Sequence, residues 1–178
     1  MKAIITDLDR TLLRTDRTIS AYTCAVLKRC RDRGEDAFSN KPIPEWNDSA
    51  FDGFPALPTE STIYKILLSR EGESIQPEVE RALTPDTYMT MAEGKLIQIM
   101  GAAATKWNGI QAMLKAVGIH SREAVYFVDD YDDIESIKNC GMGVAVSNAI
   151  EEVLAIADSV AESNDMDGVA RYIEENCL

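Results

Sequence analysis

Between residues 124 and 175, short apolar runs alternate regularly with segments of helical character. The predicted strands and helices follow one another at 124–128, 132–139, 143–146, 148–156, 159–160 and 166–175. Strands and helices that alternate at this spacing along the sequence are typical of a parallel sheet with helices packed on both of its faces. The sequence therefore predicts an α/β fold built on a doubly wound parallel sheet.

Earlier segments extend this pattern. A buried strand is predicted at 2–7, and a helix from about 21 to 33, with Ser20 as its cap and Gly34 as its end. Thr105 is predicted to cap a second helix that runs through 117 and stops at Gly118. Residues 37–39 form a weak strand candidate. The proline-rich stretch 40–59 is predicted to be a connection between packed elements.

A separate block of elements interrupts the alternation. We predict a strand at 62–68, a helix at 77–83 and a hairpin made of 87–91 and 96–100. At 178 residues, the chain has the size of one domain that carries a small insertion. The predicted organisation is a core of residues 1–59 and 102–178, with residues 60–101 as a reduced α+β insertion.

Acidic residues follow two of the predicted strands. Asp7 and Asp9 come after the apolar run 3–5, and the cluster 129–133 follows the apolar run 125–128. Parallel sheets place their ligands at the carboxyl ends of strands, where such carboxylates can share one divalent cation. One carboxylate can then act as a nucleophile and another as an acid or base. With Lys106 between them in sequence, a magnesium-dependent phosphoryl-transfer site is the leading hypothesis.

Composition narrows the classes of partner. The formal net charge of −12 argues against nucleic acid, which requires a basic surface. No apolar run is long enough to span a bilayer, and residues 1–2 lead directly into a strand, so we expect a soluble, cytoplasmic protein without a membrane partner. The four cysteines lack metal-type spacing and are expected to be reduced core thiols, while His120 is expected in a surface turn.

Three segments together resemble the haloacid dehalogenase-like (HAD) superfamily, and within it the Cof-type phosphatases of subfamily IIB. They are DLDRTLL at 7–13, ATKWNGIQAMLKAVGI at 104–119 and VDDYDDIESIKNCGMGVAVSNAIEEVLAIADSVAESNDMDGVARYIEE at 128–175. The resemblance implies a Rossmann-like core with an inserted cap, here shortened. It also implies Mg²⁺ as cofactor and a small phosphorylated metabolite, such as a sugar phosphate, as substrate.

The resemblance assigns roles to individual residues. Asp7 would attack phosphorus and form an aspartyl-phosphate, and Asp9 would protonate the leaving oxygen and later activate water. Thr11 would order the loop and belong, with Lys106, to the phosphate-binding residues. Asp7, Asp9 (through its main-chain carbonyl) and Asp129 would hold the metal.

Other matches concern neighbouring positions. Asp133 aligns with the second acid of the acidic motif, in a supporting role, and Ser39 is the candidate phosphate donor of an altered second motif. Asp130 and Asp132 are interpreted as exposed, or as helix-capping in the case of Asp132.

The sequence also departs from the family pattern. Arg10 and Val128 stand where the family usually has glycine, the segment around Ser39 is shortened, and only residues 60–101 resemble a cap. A non-catalytic binding relative is therefore the main alternative to an enzyme, and a phosphotransferase or mutase using the same nucleophile also remains open. A neighbouring subunit in a homo-oligomer could supply the missing part of the cap.

Overall fold

The computed structural model describes residues 1–32, 65–69, 75–92 and 96–178. Its helices and strands follow the chain in the order β1 (Ala3–Thr6), α1 (Ala21–Asp32), β2 (Lys65–Ser69), α2 (Gln76–Ala82), β3 (Thr87–Ala92), β4 (Leu96–Gly101), α3 (Lys106–Ala116), β5 (Ala124–Val128), α4 (Ile134–Asn139), β6 (Met142–Val146), α5 (Glu151–Leu154), β7 (Ser159–Ala161) and α6 (Gly168–Asn176). The weak strand at 37–39, the connection at 40–59 and Ser39 lie outside the described residues.

The core sheet is parallel, with its strands in the order β1-β5-β6-β7. In its register Thr6 lies opposite Phe127, and the Asp7 amide donates a hydrogen bond of 3.0 Å to the Phe127 carbonyl. The carboxyl ends of β1 and β5 are therefore neighbours at one edge of the sheet. This adjacency brings together the two acidic segments that are far apart in the sequence.

Strand β5 is buried along its whole length because helices cover both faces of the sheet. Its side chains alternate between two apolar layers, as the two-residue period of a strand requires. Val125 and Phe127 pack with residues of α1 and α6, whereas Tyr126 and Val128 pack with residues of α3 and α4. The prediction of a doubly wound α/β sheet is confirmed.

The helix boundaries follow from local chemistry. The Ser20 hydroxyl accepts a 2.9 Å hydrogen bond from the Thr23 amide, and Thr105 accepts one of 3.1 Å from the Asn108 amide. Gly118 has a φ of +69°, the left-handed conformation that ends many helices. The predicted caps of α1 and α3 and the predicted stop of α3 are confirmed.

A second, antiparallel sheet has the strand order β2-β4-β3. Strands β3 and β4 form the predicted hairpin, with Tyr88 opposite Met100. Two hydroxyls of β3 attach this sheet to the core: Tyr88 donates to the Ala104 carbonyl at 3.0 Å, and Thr90 donates to the Asp132 carboxylate. We call residues 65–69, 75–92 and 96–101 the cap sheet segment.

Some predicted helices are shorter than expected. The segment predicted as a helix over 148–156 is α-helical only in α5, and the one over 132–139 begins with a 3₁₀ turn at 131–133. The helix predicted from 166 begins at Gly168, because Asp167 has a φ of +57° and interrupts the helical path. Cys24 is exposed and is therefore not a core thiol. Among the described residues, no helix is long and apolar enough to cross a membrane.

Candidate active site

Three carboxylates meet where β1 and β5 end. One oxygen from each of Asp7, Asp129 and Asp133 lies within 4.8 Å of the others. Asp7 follows β1, Asp129 follows β5, and Asp133 precedes α4, so the parallel pairing of β1 with β5 assembles the group. Three like charges at this spacing repel one another unless a cation or a proton lies among them.

The loop after Asp7 is held by the neighbouring acidic segment. Thr11 is 1% exposed, and its hydroxyl donates a hydrogen bond of 2.8 Å to Oδ1 of Asp129. Arg10 has a φ of +59°, which turns the chain so that Thr11 points inward while Asp9 and Arg10 remain exposed. Thr11 therefore orders the loop by orienting Asp129, and its hydroxyl is buried against that carboxylate.

Lys106 connects two members of the acidic group. Its Nζ lies 3.0 Å from Oδ1 of Asp7 and 2.8 Å from Oδ1 of Asp133. Burial alone would lower the pKa of Lys106, but the charges of Asp133 and Asp7 outweigh it and the pKa is raised. The ammonium therefore stays protonated and holds the Asp7 carboxylate in a fixed orientation.

Asp133 is fully buried and has a second partner. The Tyr126 hydroxyl donates a hydrogen bond of 2.6 Å to its Oδ1, the same oxygen that Lys106 contacts. Burial raises the pKa of Asp133, while Lys106 and Tyr126 act in the opposite direction. Oδ2 of Asp133 is buried and has no hydrogen-bond partner among the described residues. A buried oxygen without a partner is costly unless a cation or donor reaches it.

Asp129 lies in a similarly desolvated position and is 7% exposed. Burial raises its pKa to about 6, the hydrogen bond from Thr11 opposes this shift, and the charge of Asp7 adds to it. Without a cation, Asp129 therefore holds its proton to a higher pH than an ordinary aspartate does.

The residues present fit a hard divalent cation. Three clustered carboxylates, one with a buried oxygen that lacks a partner, supply the oxygen donors that Mg²⁺ prefers. The structure brings together the carboxylates of Asp7, Asp129 and Asp133. The metal contact predicted for Asp9 uses its main-chain carbonyl and stays a prediction. Asp133, predicted to be supporting, is thus a candidate metal ligand in its own right.

Two interpretations of the acidic loop are corrected. Asp130, and not Asp132, caps the turn that follows β5, because the Asp130 carboxylate accepts a 2.8 Å hydrogen bond from the Tyr131 amide. Asp132 is half-buried and accepts the hydrogen bond from Thr90 of the cap sheet segment. The Asp132 carboxylate therefore attaches the cap sheet segment to the core.

Two asparagines that sequence reasoning missed also hold the loop after Asp7. Nδ2 of Asn148 donates to the Arg10 carbonyl at 2.8 Å, and its Oδ1 accepts from the Asn164 amide at 2.9 Å. Nδ2 of Asn164 in turn donates to the Leu13 carbonyl at 3.0 Å. Both residues lie inside the segment 128–175 that carried the family resemblance. That resemblance was the sequence signal from which they could have been found.

Two open clefts adjoin the acidic group, with Tyr131 lining both. The first has a volume of about 550 Å³ and contains Asp9, Arg10 and Asp129. The second has a volume of about 540 Å³ and contains Lys106 and residues of the cap sheet segment such as Tyr88. Cavities of this size accommodate small-molecule ligands.

The chain belongs to the haloacid dehalogenase-like hydrolase family, whose model matches residues 52–173. A chloroplastic endoribonuclease YBEY of Arabidopsis thaliana is 32% identical over 121 residues, which are 66% of this chain and 21% of that protein. The 5-amino-6-(5-phospho-D-ribitylamino)uracil phosphatase YwtE of Bacillus subtilis is 28% identical over 140 residues. That match covers 78% of this chain and 46% of the relative, so the chain spans less than half the length of both proteins.

Solved structures share the fold. A haloacid dehalogenase-like hydrolase from Bacteroides thetaiotaomicron has a TM-score of 0.76 at 20% identity, with 98% of each chain covered. A sugar phosphatase described as HAD subclass IIB has a TM-score of 0.71 at 17% identity, again with 98% of each chain covered. The family membership and the fold predicted from the sequence are therefore confirmed.

Proposed function

We propose that this protein is a magnesium-dependent phosphatase that hydrolyses a small phosphorylated metabolite through an aspartyl-phosphate on Asp7. The contacts of Lys106 carry the proposal, since its ammonium lies 3.0 Å from Asp7 and 2.8 Å from Asp133 within the acidic group. A carboxylate held by an ammonium at the end of a parallel strand is placed to meet a phosphoryl group. Relatives named as phosphatases, such as YwtE, support the same reaction class.

Asp7 is the nucleophile in this proposal. An oxygen of its carboxylate forms a bond to phosphorus while the bond from phosphorus to the ester oxygen breaks. Asp9 is exposed at the first cleft and gives its proton to the departing oxygen. Lys106 keeps Asp7 oriented and offsets the negative charge that gathers on the phosphoryl oxygens.

The second half of the reaction releases phosphate. Asp9, now a carboxylate, takes a proton from water, and the water oxygen attacks phosphorus as the bond to Asp7 breaks. Both aspartates thereby return to their starting states. Asp7, Asp129 and Asp133 would hold Mg²⁺, which neutralises charge on the phosphoryl group when bound.

The match to an endoribonuclease does not support that activity for this chain. The Arabidopsis protein is named as an endoribonuclease, but this chain matches only 21% of its length. The net charge of −12 also disfavours an RNA substrate. The intact arrangement of Asp7, Lys106, Asp129 and Asp133 favours an enzyme over a non-catalytic binding relative.

Hydrolysis of para-nitrophenyl phosphate tests the proposal. We expect turnover that requires Mg²⁺, stops with EDTA and falls about a thousandfold or more in Asp7→Asn, because the amide is not a nucleophile. Asp32→Asn makes the same chemical change at the exposed end of α1 and should keep the wild-type rate. Turnover retained in Asp7→Asn, or equal with and without Mg²⁺, would refute the mechanism.

A further inference from the structure

The first cleft contains more positive charge than the proposed reaction uses. Three arginines of the loop after β1 line it, namely Arg10, Arg14 and Arg17, and the carboxylates in its lining are those of Asp9, Asp129 and Asp130. Arg14 is already engaged, since its Nη2 and Nε lie 2.8 and 3.3 Å from the carboxylate of Asp167. Arg10 and Arg17 form no ion pair with any other described residue.

The backbone at both positions is unfavourable for an arginine. Arg10 has a φ of +59° and Arg17 a φ of +64°, where glycine or asparagine is accommodated at lower cost. Backbone geometry therefore does not explain why arginine occupies either position. Asn148 fixes the Arg10 carbonyl, so the loop that presents this guanidinium is itself held in place.

The proposed reaction determines which cleft holds the leaving group of the substrate. Asp9 protonates the departing oxygen and lines the first cleft, whereas Lys106 lines the second. The leaving group of the substrate must therefore extend into the first cleft, beside Arg10 and Arg17. At about 550 Å³, the cleft has room for a small metabolite body beyond the reacting phosphoryl group.

We propose that the leaving group carries a second anionic group, a phosphate or a carboxylate, which Arg10 and Arg17 bind. The proposal rests on the proposed function, which sets the orientation of the substrate. A guanidinium offers paired donors that match the oxygens of either anion. Although the chain has a net charge of −12, these two arginines lie beside the reactive groups without an ion pair to any described residue, so they can attract such an anion locally.

Binding to Asp7→Asn with Mg²⁺ present tests the proposal without requiring turnover. Titration calorimetry compares fructose 6-phosphate with fructose 1,6-bisphosphate, and glucose 6-phosphate with 6-phosphogluconate. In each pair the members differ chiefly by one anionic group. We expect the member with the additional anion to bind about tenfold more tightly. A preference in the first pair only identifies a phosphate, in the second only a carboxylate, and in both a general anion site.

Three further changes on the Asp7→Asn background locate the anion site. Arg10→Gly relieves the backbone at φ +59° and Arg17→Gln keeps a polar side chain, so both should fold, and each should bring the affinity ratio towards one. Arg122→Gln removes another exposed arginine, one that lines neither cleft, and should leave the ratio unchanged.

The outcomes separate this proposal from the proposed function. No preference in either pair, or a preference that survives both Arg10→Gly and Arg17→Gln, would overturn the anion site. Failure of the wild-type protein to hydrolyse para-nitrophenyl phosphate would instead overturn the phosphatase. The affinity ratios would still decide whether Arg10 and Arg17 bind a second anion.

Discussion

The hydroxyl of Thr11 donates a hydrogen bond of 2.8 Å to Oδ1 of Asp129, which lies 118 residues further along the chain. Both groups are buried, so this bond ties the loop after β1 to the end of β5 at the acidic group. A residue that holds a metal-ligating carboxylate in place influences metal affinity without touching the metal.

Thr11→Val should therefore weaken Mg²⁺ binding by roughly tenfold, because Asp129 loses the donor that orients it. It should also lower the free energy of unfolding by about 1–3 kcal/mol, since a buried carboxylate oxygen loses its partner. Titration calorimetry measures the first effect and urea denaturation the second. Thr11→Ser retains the hydroxyl and should recover most of the metal affinity, and a Thr11→Val protein with wild-type affinity would exclude the orienting role.

Tyr126→Phe should destabilise the protein by about 1–3 kcal/mol, because Asp133 is fully buried and loses the 2.6 Å hydrogen bond from the tyrosine. Tyr131 offers a matched control, since its hydroxyl bonds Glu152 at an exposed site. Tyr131→Phe should change the free energy of unfolding by less than about 0.5 kcal/mol. Equal effects of the two substitutions in urea denaturation would argue against a structural role of the Tyr126–Asp133 bond.

In the metal-free protein, stability should rise as the pH falls from 8 to 5. The pKa of Asp129 is raised from 3.8 to about 6, so folding favours its protonated form. This stabilisation is complete when the pH is below the pKa that Asp129 has in the unfolded chain. It is lost as the pH rises through about 6, the pKa in the folded protein. The gain between pH 8 and pH 5 should be about 1 kcal/mol.

Other shifted carboxyl groups do not cancel this trend. The pKa of Asp133 is also raised, which adds to the trend. The contributions of the carboxyl groups with lowered pKa values are lost mainly as the pH falls below the window tested; these groups are Asp16, Asp165, Asp167, Glu123, Glu152 and Glu174. Thermal unfolding in EDTA at several pH values provides the measurement. Asp129→Asn should flatten the dependence, as should saturating Mg²⁺, and a metal-free protein that loses stability between pH 8 and pH 5 would contradict the assignment.

Arg10→Gly should raise the free energy of unfolding by up to about 1 kcal/mol, because glycine adopts a φ of +59° without the steric cost that a side chain incurs. Arg10→Ala keeps the Cβ and should bring no such gain. Thermal unfolding of the two variants separates the backbone effect from loss of the guanidinium. If the alanine variant gained as much as the glycine variant, the backbone explanation would fail.

Local elements of the fold could be predicted because their causes lie within a few residues. The cap of α1 at Ser20, the cap of α3 at Thr105 and the stop at Gly118 each depend on one side chain or one φ angle. The apolar run 125–128 indicated a strand for the same reason, and β5 is buried along its whole length, whereas the strand predicted as buried at 2–7 is only half-buried in β1. The helix predicted from 166 was placed too early, because the left-handed Asp167 gives no periodic signal.

The sequence by itself determined the strand–helix alternation and the family to which the chain belongs, and it supplied the residues that we propose carry the chemistry. Only the tertiary structure decided that Asp133 joins Asp7 and Asp129, that Thr11 orients Asp129, and that Asn148 and Asn164 hold the loop after Asp7. These contacts span more than a hundred residues, and the pairing of β1 with β5 and the packing of the later loops create them. Hydrophobic periodicity records which face of an element is buried, but a polar contact between distant loops depends on distances and angles that no local pattern encodes.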